Sequence, residues 1–245
     1  PAGPARLAFL PRHGRGHRIS PTEVPARANI FALKTLGVEW IISVSAVGSL
    51  REEIAPLDLV IPDQIIDRTK SRVNSFFENG LVAHVGFADP FCPVLSELLF
   101  QTASETKSRV HRGGTLMVME GPLFSTRAES NLYRSWGASI IGMTALPEAK
   151  LAREAEICYA TLACTTDYDC WHETEADVTI ELIIGNLLKN VAASKSIIRR
   201  LVDRIPQQRT GCLCPSALAS AIVTSRELIP EKTKTDLAAL VSKYL

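Results

Sequence analysis

Ile157-Cys158-Tyr159-Ala160-Thr161-Leu162-Ala163-Cys164-Thr165 is a near-continuous apolar run that passes directly into Thr166-Asp167-Tyr168-Asp169-Cys170-Trp171. Apolar character without alternation reads as a strand buried on both faces, which needs a sheet with helices packed on each side. On such a strand the period of two places Asp167 and Asp169 on one face where the chain emerges, the region in which open α/β sheets bind ligands. Two carboxylates so placed repel one another unless hydrogen-bond donors or a metal lie between them. A helix cap or a solvated loop is the plainer reading of the pair. A metal is disfavoured because His172 would need a third ligand from elsewhere.

Outward from that strand, hydrophobic period and punctuation alternate strand with helix, with no linker, repeat or low-complexity tract. Strands are expected at Leu7-Leu10, Trp40-Ser45, Leu59-Pro62 with Gln64-Ile66 as a pair, Gly114-Met119 and Ser139-Met143. Helices are expected over Val24-Leu36, Pro93-Thr106, Ser125-Trp136 with Gly137 as its stop, Pro147-Glu156 and Val178-Arg204, with a helical tail after Pro230. The expected fold class is α/β: one sheet flanked by helices in a single domain over residues 1–245.

The chain has 245 residues, 46% of them hydrophobic, and a formal net charge of +1, so it can bury a substantial core and has no electrostatic case for nucleic acid. No apolar run reaches the roughly 20 residues that span a bilayer, and Pro1-Arg6 does not resemble a secretory signal, so an intracellular protein without membrane partners is expected. Six cysteines are too sparse for a disulfide scaffold. Cys212-Leu213-Cys214 can be read as a metal or redox pair, but no His or further Cys is spaced beside it in sequence. The site is therefore expected to hold no metal.

Four polar clusters follow strands and are expected to gather at one edge of the sheet. Arg12, His13, Arg15 and His17 suit an anion such as phosphate, or else form a solvated basic turn. Ser45-Ala46-Val47-Gly48-Ser49 ends a strand in small residues that let backbone N–H groups approach an oxyanion. In Met119 to Glu129, Ser125 is the expected N-cap of an approximate capping box, and Phe124 is either a hydrophobic staple or a flat face for an aromatic ligand. In Gly142-Glu148, Thr144 can cap a helix or hold an anion, and Met143 by residue type belongs to the core.

Taken in order, Arg12-His13-Gly14-Arg15, Gly48 to Glu53, Asp89 to Pro93, Glu120 to Ser125, Met143-Thr144 with Pro147-Glu148, and Thr166 to Trp171 resemble the trimeric branch of the purine nucleoside phosphorylase family. The similarity runs from about Leu7 to Pro206. The resemblance implies a central mixed β-sheet flanked by helices. It also implies a pentosyltransferase of methionine and purine salvage, in which phosphate attacks the ribose C1′ of 5′-methylthioadenosine and releases adenine and 5-methylthioribose 1-phosphate. Phosphorolysis of 6-oxopurine nucleosides, or a catalytically degenerate member, are the alternatives. On this resemblance Arg12, His13, Ser45, the N–H of Ala46 and Thr144 hold phosphate, Met143 lies along the ribose, and Phe124 with Ser125 meets the base. Asp167 is the catalytic group at N7, Asp169 accepts from the 6-amino group, and His84 reaches toward the 5′ substituent across the interface of a homotrimer.

Further expectations from the resemblance are inorganic phosphate as co-substrate, no cofactor, and a cytoplasmic location with the nucleus as a second one. The family's N-terminal strand and glycine-rich phosphate loop have no counterpart ahead of Arg12, so they are expected to be missing from this sequence. A specificity argument stands beside the resemblance: a carboxylate accepts from a 6-amino purine and faces the acceptor of a 6-oxo purine unfavourably.

Overall fold

The computed structural model describes residues 6–172 and 180–245. Its spine is the opening apolar run, strand β7 (Cys158–Asp167), buried along its whole length. The reason is visible in its two faces. Cys158, Ala160, Leu162 and Cys164 pack against Leu95 and Leu99 of α2 (Pro93–Ser104) and Ile197 and Leu201 of α5 (Ile180–Val202). Tyr159 and Ala163 pack on the other face with Ala26 and Ile30 of α1 (Ala26–Thr35) and Ala149 and Ala152 of α4 (Ala145–Glu154). An alternating polar residue would be buried without a partner on either side.

The remaining strands are β1 (Trp40–Ser49), β2 (Leu59–Ile61), β3 (Gln64–Arg68), β4 (Val110–Arg112), β5 (Thr115–Met119) and β6 (Ile140–Gly142). The remaining helices are α3 (Arg127–Ser135), α6 (Glu231–Asp236) and α7 (Ala238–Val241). The single-domain sheet has the order β3-β5-β6-β1-β7-β2-β4 and is mixed: β1 and β7 are parallel, whereas β6 runs antiparallel to β1 and β2 antiparallel to β7. The α/β class and the mixed sheet flanked by helices agree with expectation.

Several expected elements are corrected. Leu7-Leu10 is not a strand, and Phe9 is 78% exposed, because the segment joins no ladder. Strands β2 and β3 are both present but do not pair; the turn at Pro62-Asp63 sends them to different parts of the sheet, β2 beside β7 and β3 to the edge on β5. Strand β1 continues through Ala46-Ser49, since small residues still pair with β7 and β6 there. The three-residue β4 went unseen, being too short to show a period. Helix α3 begins one residue later than expected: Thr126 is its N-cap, which puts Glu129 at the third helical position and completes a capping box. Gly137 ends it at φ +85°. The expected start of α5 at Val178 lies outside the described residues.

Candidate active site

The strand ends do converge, but not at one edge. Because β6 opposes β1, its C-terminal end points back from the end of β1 toward Val47 and Ala46, where a Cβ on Gly142 would lie 3.2 Å from Val47 Cγ1 and 3.8 Å from the Ala46 carbonyl. The loop leaving β6 therefore meets Ser45: the Thr144 and Ser45 hydroxyls are 3.3 Å apart. Thr144 occupies the N-cap position of α4 but makes no side-chain cap, because Leu146 at φ −112° and ψ 141° interrupts the first turn. Its hydroxyl serves the cradle instead.

Arg12 closes this cradle. One guanidinium nitrogen donates to Ser43 Oγ (3.0 Å), the Val44 carbonyl (2.8 Å) and Ser45 Oγ (3.1 Å), and the other to Glu148 Oε2 (2.5 Å). Burial works against the Arg12 charge, but the Glu148 carboxylate and Tyr159 outweigh it, and the pKa ends above the ordinary value. Glu148, which also accepts from the Tyr159 hydroxyl at 3.0 Å, is the positioning partner of Arg12, a role that its local sequence does not announce. His13 places Nδ1 2.8 Å from the Ile19 carbonyl and stacks on His17 at 4.3 Å. Burial, opposed by that carbonyl and reinforced by the His17 and Arg12 charges, lowers its pKa. A neutral ring donating from Nδ1 leaves Nε2 as an acceptor, suited to the proton of a protonated phosphate. Ala46 is exposed, an opening in a strand that is otherwise largely covered.

Farther along β1 lies the carboxylate pair. Asp167 is the last residue of β7, buried, with the Thr166 hydroxyl 2.6 Å from Oδ2. Carbonyls at the end of β7 accept from α5: Asn186 donates to Thr166 at 2.7 Å and Asn190 to Thr165 at 3.0 Å. Gly48 is required here, since a Cβ would sit 2.9 Å from Asp167 Oδ1 and 3.4 Å from Asp169 Cβ. Asp169 does not continue the strand period as expected. At φ +54° it turns back, and its N–H donates to Asp167 Oδ1 at 2.8 Å, so the two carboxylates meet through a turn and not along a strand face. Burial, reinforced by the Asp167 charge and eased by the nearby Ser130 hydroxyl, lifts the Asp169 pKa to about 6. Asp169 Oδ2 and Ser130 Oγ are nonetheless both buried without a hydrogen-bond partner. Trp171 anchors the turn by donating to the Ser49 carbonyl at 2.8 Å beneath the Arg134 guanidinium.

The loop between β5 and α3 supplies the remaining wall. With Thr126 as N-cap, Phe124 is too early to be the staple, and it stands 55% exposed. Ser125 is buried, its carbonyl accepting from the Cys170 thiol at 3.3 Å. Met143 lies so close to Gly121 that a Cβ there would be 2.5 Å from its sulfur. Sequence reasoning missed Arg72, whose buried guanidinium donates to the carbonyls of Met143, Leu146 (2.6 Å) and Glu120, tying the two loops together. Only its reach across 71 residues makes this role, and no local pattern announces it.

His84 is not brought to these groups. It is exposed beside a separate depression of 450 Å³ lined by Phe87, Lys150, Arg153 and Glu154. A larger cavity of 1020 Å³, between Pro25, Phe31, Arg72, Phe76 and Pro147, holds none of the expected site residues. The expectation that Cys212-Leu213-Cys214 stands apart from other cysteines is also corrected: Cys92 and Cys158 lie against it. Among the described residues, no helix is long and apolar enough to cross a membrane.

A buried arginine beside Thr144 and Ser45 of β1, and a carboxylate pair at the end of the adjacent β7 opposite Gly48, sit together over a mixed α/β sheet. The family model of the phosphorylase superfamily matches residues 5–203, and the chain belongs to that superfamily. It is 60% identical over 241 residues to S-methyl-5′-thioadenosine phosphorylase of Geobacter sulfurreducens, covering 98% of this chain and 84% of that protein. Its fold superposes with a TM-score of 0.90, at 53% identity, on the crystal structure of a methylthioadenosine phosphorylase from an antarctic soil metagenomic library, covering 95% of this chain and 82% of that one. Methylthioadenosine phosphorylase from Schistosoma mansoni in complex with adenine is similar at a TM-score of 0.79 and 32% identity, over 95% of this chain and 81% of that one.

Proposed function

We propose that this chain is a pentosyltransferase that cleaves the N-glycosidic bond of 5′-methylthioadenosine with inorganic phosphate, giving adenine and 5-methylthioribose 1-phosphate. The observation that carries the reading is the placement of both halves of the chemistry along β1. The phosphate cradle sits at Ser45 and the carboxylates at Gly48, three residues on and about 10 Å apart along the strand, a gap that accommodates a ribose.

In the proposed reaction Arg12, Ser45, Thr144, the Ala46 N–H and His13 hold phosphate below C1′. Met143 lies along the sugar, and Phe124 with Ser125 packs on the base. As the glycosidic bond breaks, positive charge builds on the ribose and negative charge on the departing purine. Phosphate on one side and a proton delivered at N7 through Asp167 on the other offset both. Asp169, whose Oδ2 is buried and unpartnered, accepts from the 6-amino group. Inorganic phosphate is the only co-substrate the scheme requires.

His84, exposed and away from Asp167, is proposed to serve the 5′ substituent in the site of a neighbouring subunit of a homotrimer. Free cysteines throughout fit a reducing cytoplasm. The test is adenine release from 5′-methylthioadenosine with and without phosphate, run beside inosine. Phosphate-dependent release with inosine poorly used supports the reading. Preference for inosine would replace it with a 6-oxopurine phosphorylase, and a folded protein without turnover would mark a degenerate member. Light scattering addresses the assembly, where a fully active monomer would remove the role given to His84.

A further inference from the structure

Far from the site, at the opposite end of β7, four cysteines from three parts of the chain converge. Cys158 opens the strand, nine residues and about 30 Å from Asp167. Cys92 occupies the N-cap position of α2 and is pinned beside it by donating its N–H to the Tyr159 carbonyl at 2.8 Å. Cys212 and Cys214 arrive on the segment after α5, which approaches α2 closely because Gly211, at φ +81°, presents no side chain to Val94. All four sulfurs lie within 4.8 Å of one another.

We propose that Cys92, Cys158, Cys212 and Cys214 form a tetrathiolate site for one structural zinc ion that fastens the C-terminal segment to the sheet. A tetrahedron with metal–sulfur bonds of about 2.3 Å has edges of about 3.8 Å. The Cys158 and Cys212 sulfurs are already 3.7 Å apart, and each of the four has the other three as neighbours. One or two disulfides would need sulfur pairs at about 2.05 Å, whereas all four cysteines are free and Cys158 and Cys212 stand at the wider spacing.

Cys92 stands at the positive N-terminal end of α2, which favours a thiolate there. Binding converts four thiols to thiolates and releases four protons, leaving a dianionic cluster with no redox step. Cys92, Cys158 and Cys214 are buried while Cys212 is half-buried on an exposed loop, which gives an ion a way in.

The experiment uses the full chain, purified anaerobically after expression with zinc. The expected result is about one zinc per chain by elemental mass spectrometry, four thiols becoming reactive as the zinc is displaced, and a sulfur-to-metal charge-transfer band on replacement by cobalt(II). Cys212→Ser, the mildest change because that side chain is half-exposed, should lose the zinc by tenfold or more, lower Tm, and retain turnover well below its Tm. The cobalt spectrum of the unaltered protein carries the test if the variant fails to fold. Failure to bind either ion after anaerobic reconstitution, a disulfide among the four by mass spectrometry, or equal zinc in the variant would overturn the proposal. None of these readouts depends on which nucleoside the enzyme uses.

Discussion

Asp169 donates its backbone N–H to Oδ1 of Asp167 at 2.8 Å, and its own side chain stands in the field of the carboxylate it supports. One turn therefore sets both orientation and charge. Asp167 is fixed through both oxygens, while Asp169 is left with a buried oxygen that a ligand N–H can satisfy. The division of labour between proton handling and base reading rests on that asymmetry.

Asp167→Asn should fold normally and lose turnover. The amide oxygen can still accept from Asp169, and the Thr166 hydroxyl, 3.2 Å from the Val47 carbonyl, has another acceptor when the amide nitrogen replaces Oδ2. What disappears is the group that shares a proton with N7, worth about 10²–10⁴ in rate for general acid–base catalysis. kcat/KM with 5′-methylthioadenosine and Tm, measured together, check it; unchanged kcat/KM would remove Asp167 from the chemistry.

Asp169 should imprint opposite pH dependences on stability and on binding. Its pKa rises from 3.8 to about 6 in the folded chain. Below the lower value both folded and unfolded forms are protonated; as pH rises through about 6 the fold must hold a buried charge, and the stabilisation from the bound proton is lost. Asp169→Asn should therefore gain Tm over the unaltered ligand-free protein between about pH 4 and 6 and hold that margin above, with a ceiling of about 3 kcal/mol for two pKa units. Nucleoside KM in the unaltered enzyme should rise below about pH 6, where the acceptor becomes a donor. Melting curves across pH for both proteins decide; a constant margin would mean the shift is absent.

How much of this could be read from the sequence follows the range of the interactions. β7 was legible because burial on two faces leaves an unbroken apolar run, and α3 because Gly137 and Glu129 punctuate it locally. The one-edge picture failed because strand direction is a tertiary property: nothing within Ile140–Gly142 says that it opposes β1. Asp167 and Asp169 were found from their spacing, yet their geometry was not, since a positive φ at Asp169 is imposed by the turn under Trp171. Glu148, Arg72 and the pairing of Cys92 and Cys158 with Cys212 and Cys214 all act across long stretches of chain. No periodicity encodes such contacts.

Gly48→Ala should damage catalysis more than stability. Gly48 has no positive φ to protect, so the backbone accepts alanine, but the new methyl would stand 2.9 Å from Asp167 Oδ1 and 3.2 Å from Ile141 Cγ2. Both neighbours are held, the first by the Asp169 N–H and the second in the core, so the carboxylate must rotate away from the base. A stability loss of about 1–3 kcal/mol is expected from overpacking. A fall in kcat at a temperature where the variant is fully folded is the diagnostic reading, and an unchanged kcat would show that the carboxylate tolerates displacement.

Glu148→Gln should make the fold depend on phosphate. Arg12 and Glu148 are only 13% and 9% exposed in their side chains, so neutralising the acid leaves a guanidinium buried without its counter-charge, a change that costs about 3–5 kcal/mol. The hydroxyls of Ser43 and Ser45 and the Val44 carbonyl still accept from Arg12, but they carry no charge. A bound phosphate would then be the anion nearest to hand, and mass action stabilises the folded form by about 2.7 kcal/mol at a hundred times Kd. Glu148 in the unaltered protein competes for the same cation, so the variant should bind phosphate more tightly and show the larger rise in Tm. Thermal shifts in phosphate against chloride at matched ionic strength measure this, with Tyr159→Phe as the control that removes the 3.0 Å hydrogen bond to Glu148 and keeps its charge. Equal phosphate shifts in the variant and the unaltered protein would mean that Arg12 does not face the anion, and the phosphate cradle would have to be redrawn around Ser45 and Thr144 alone.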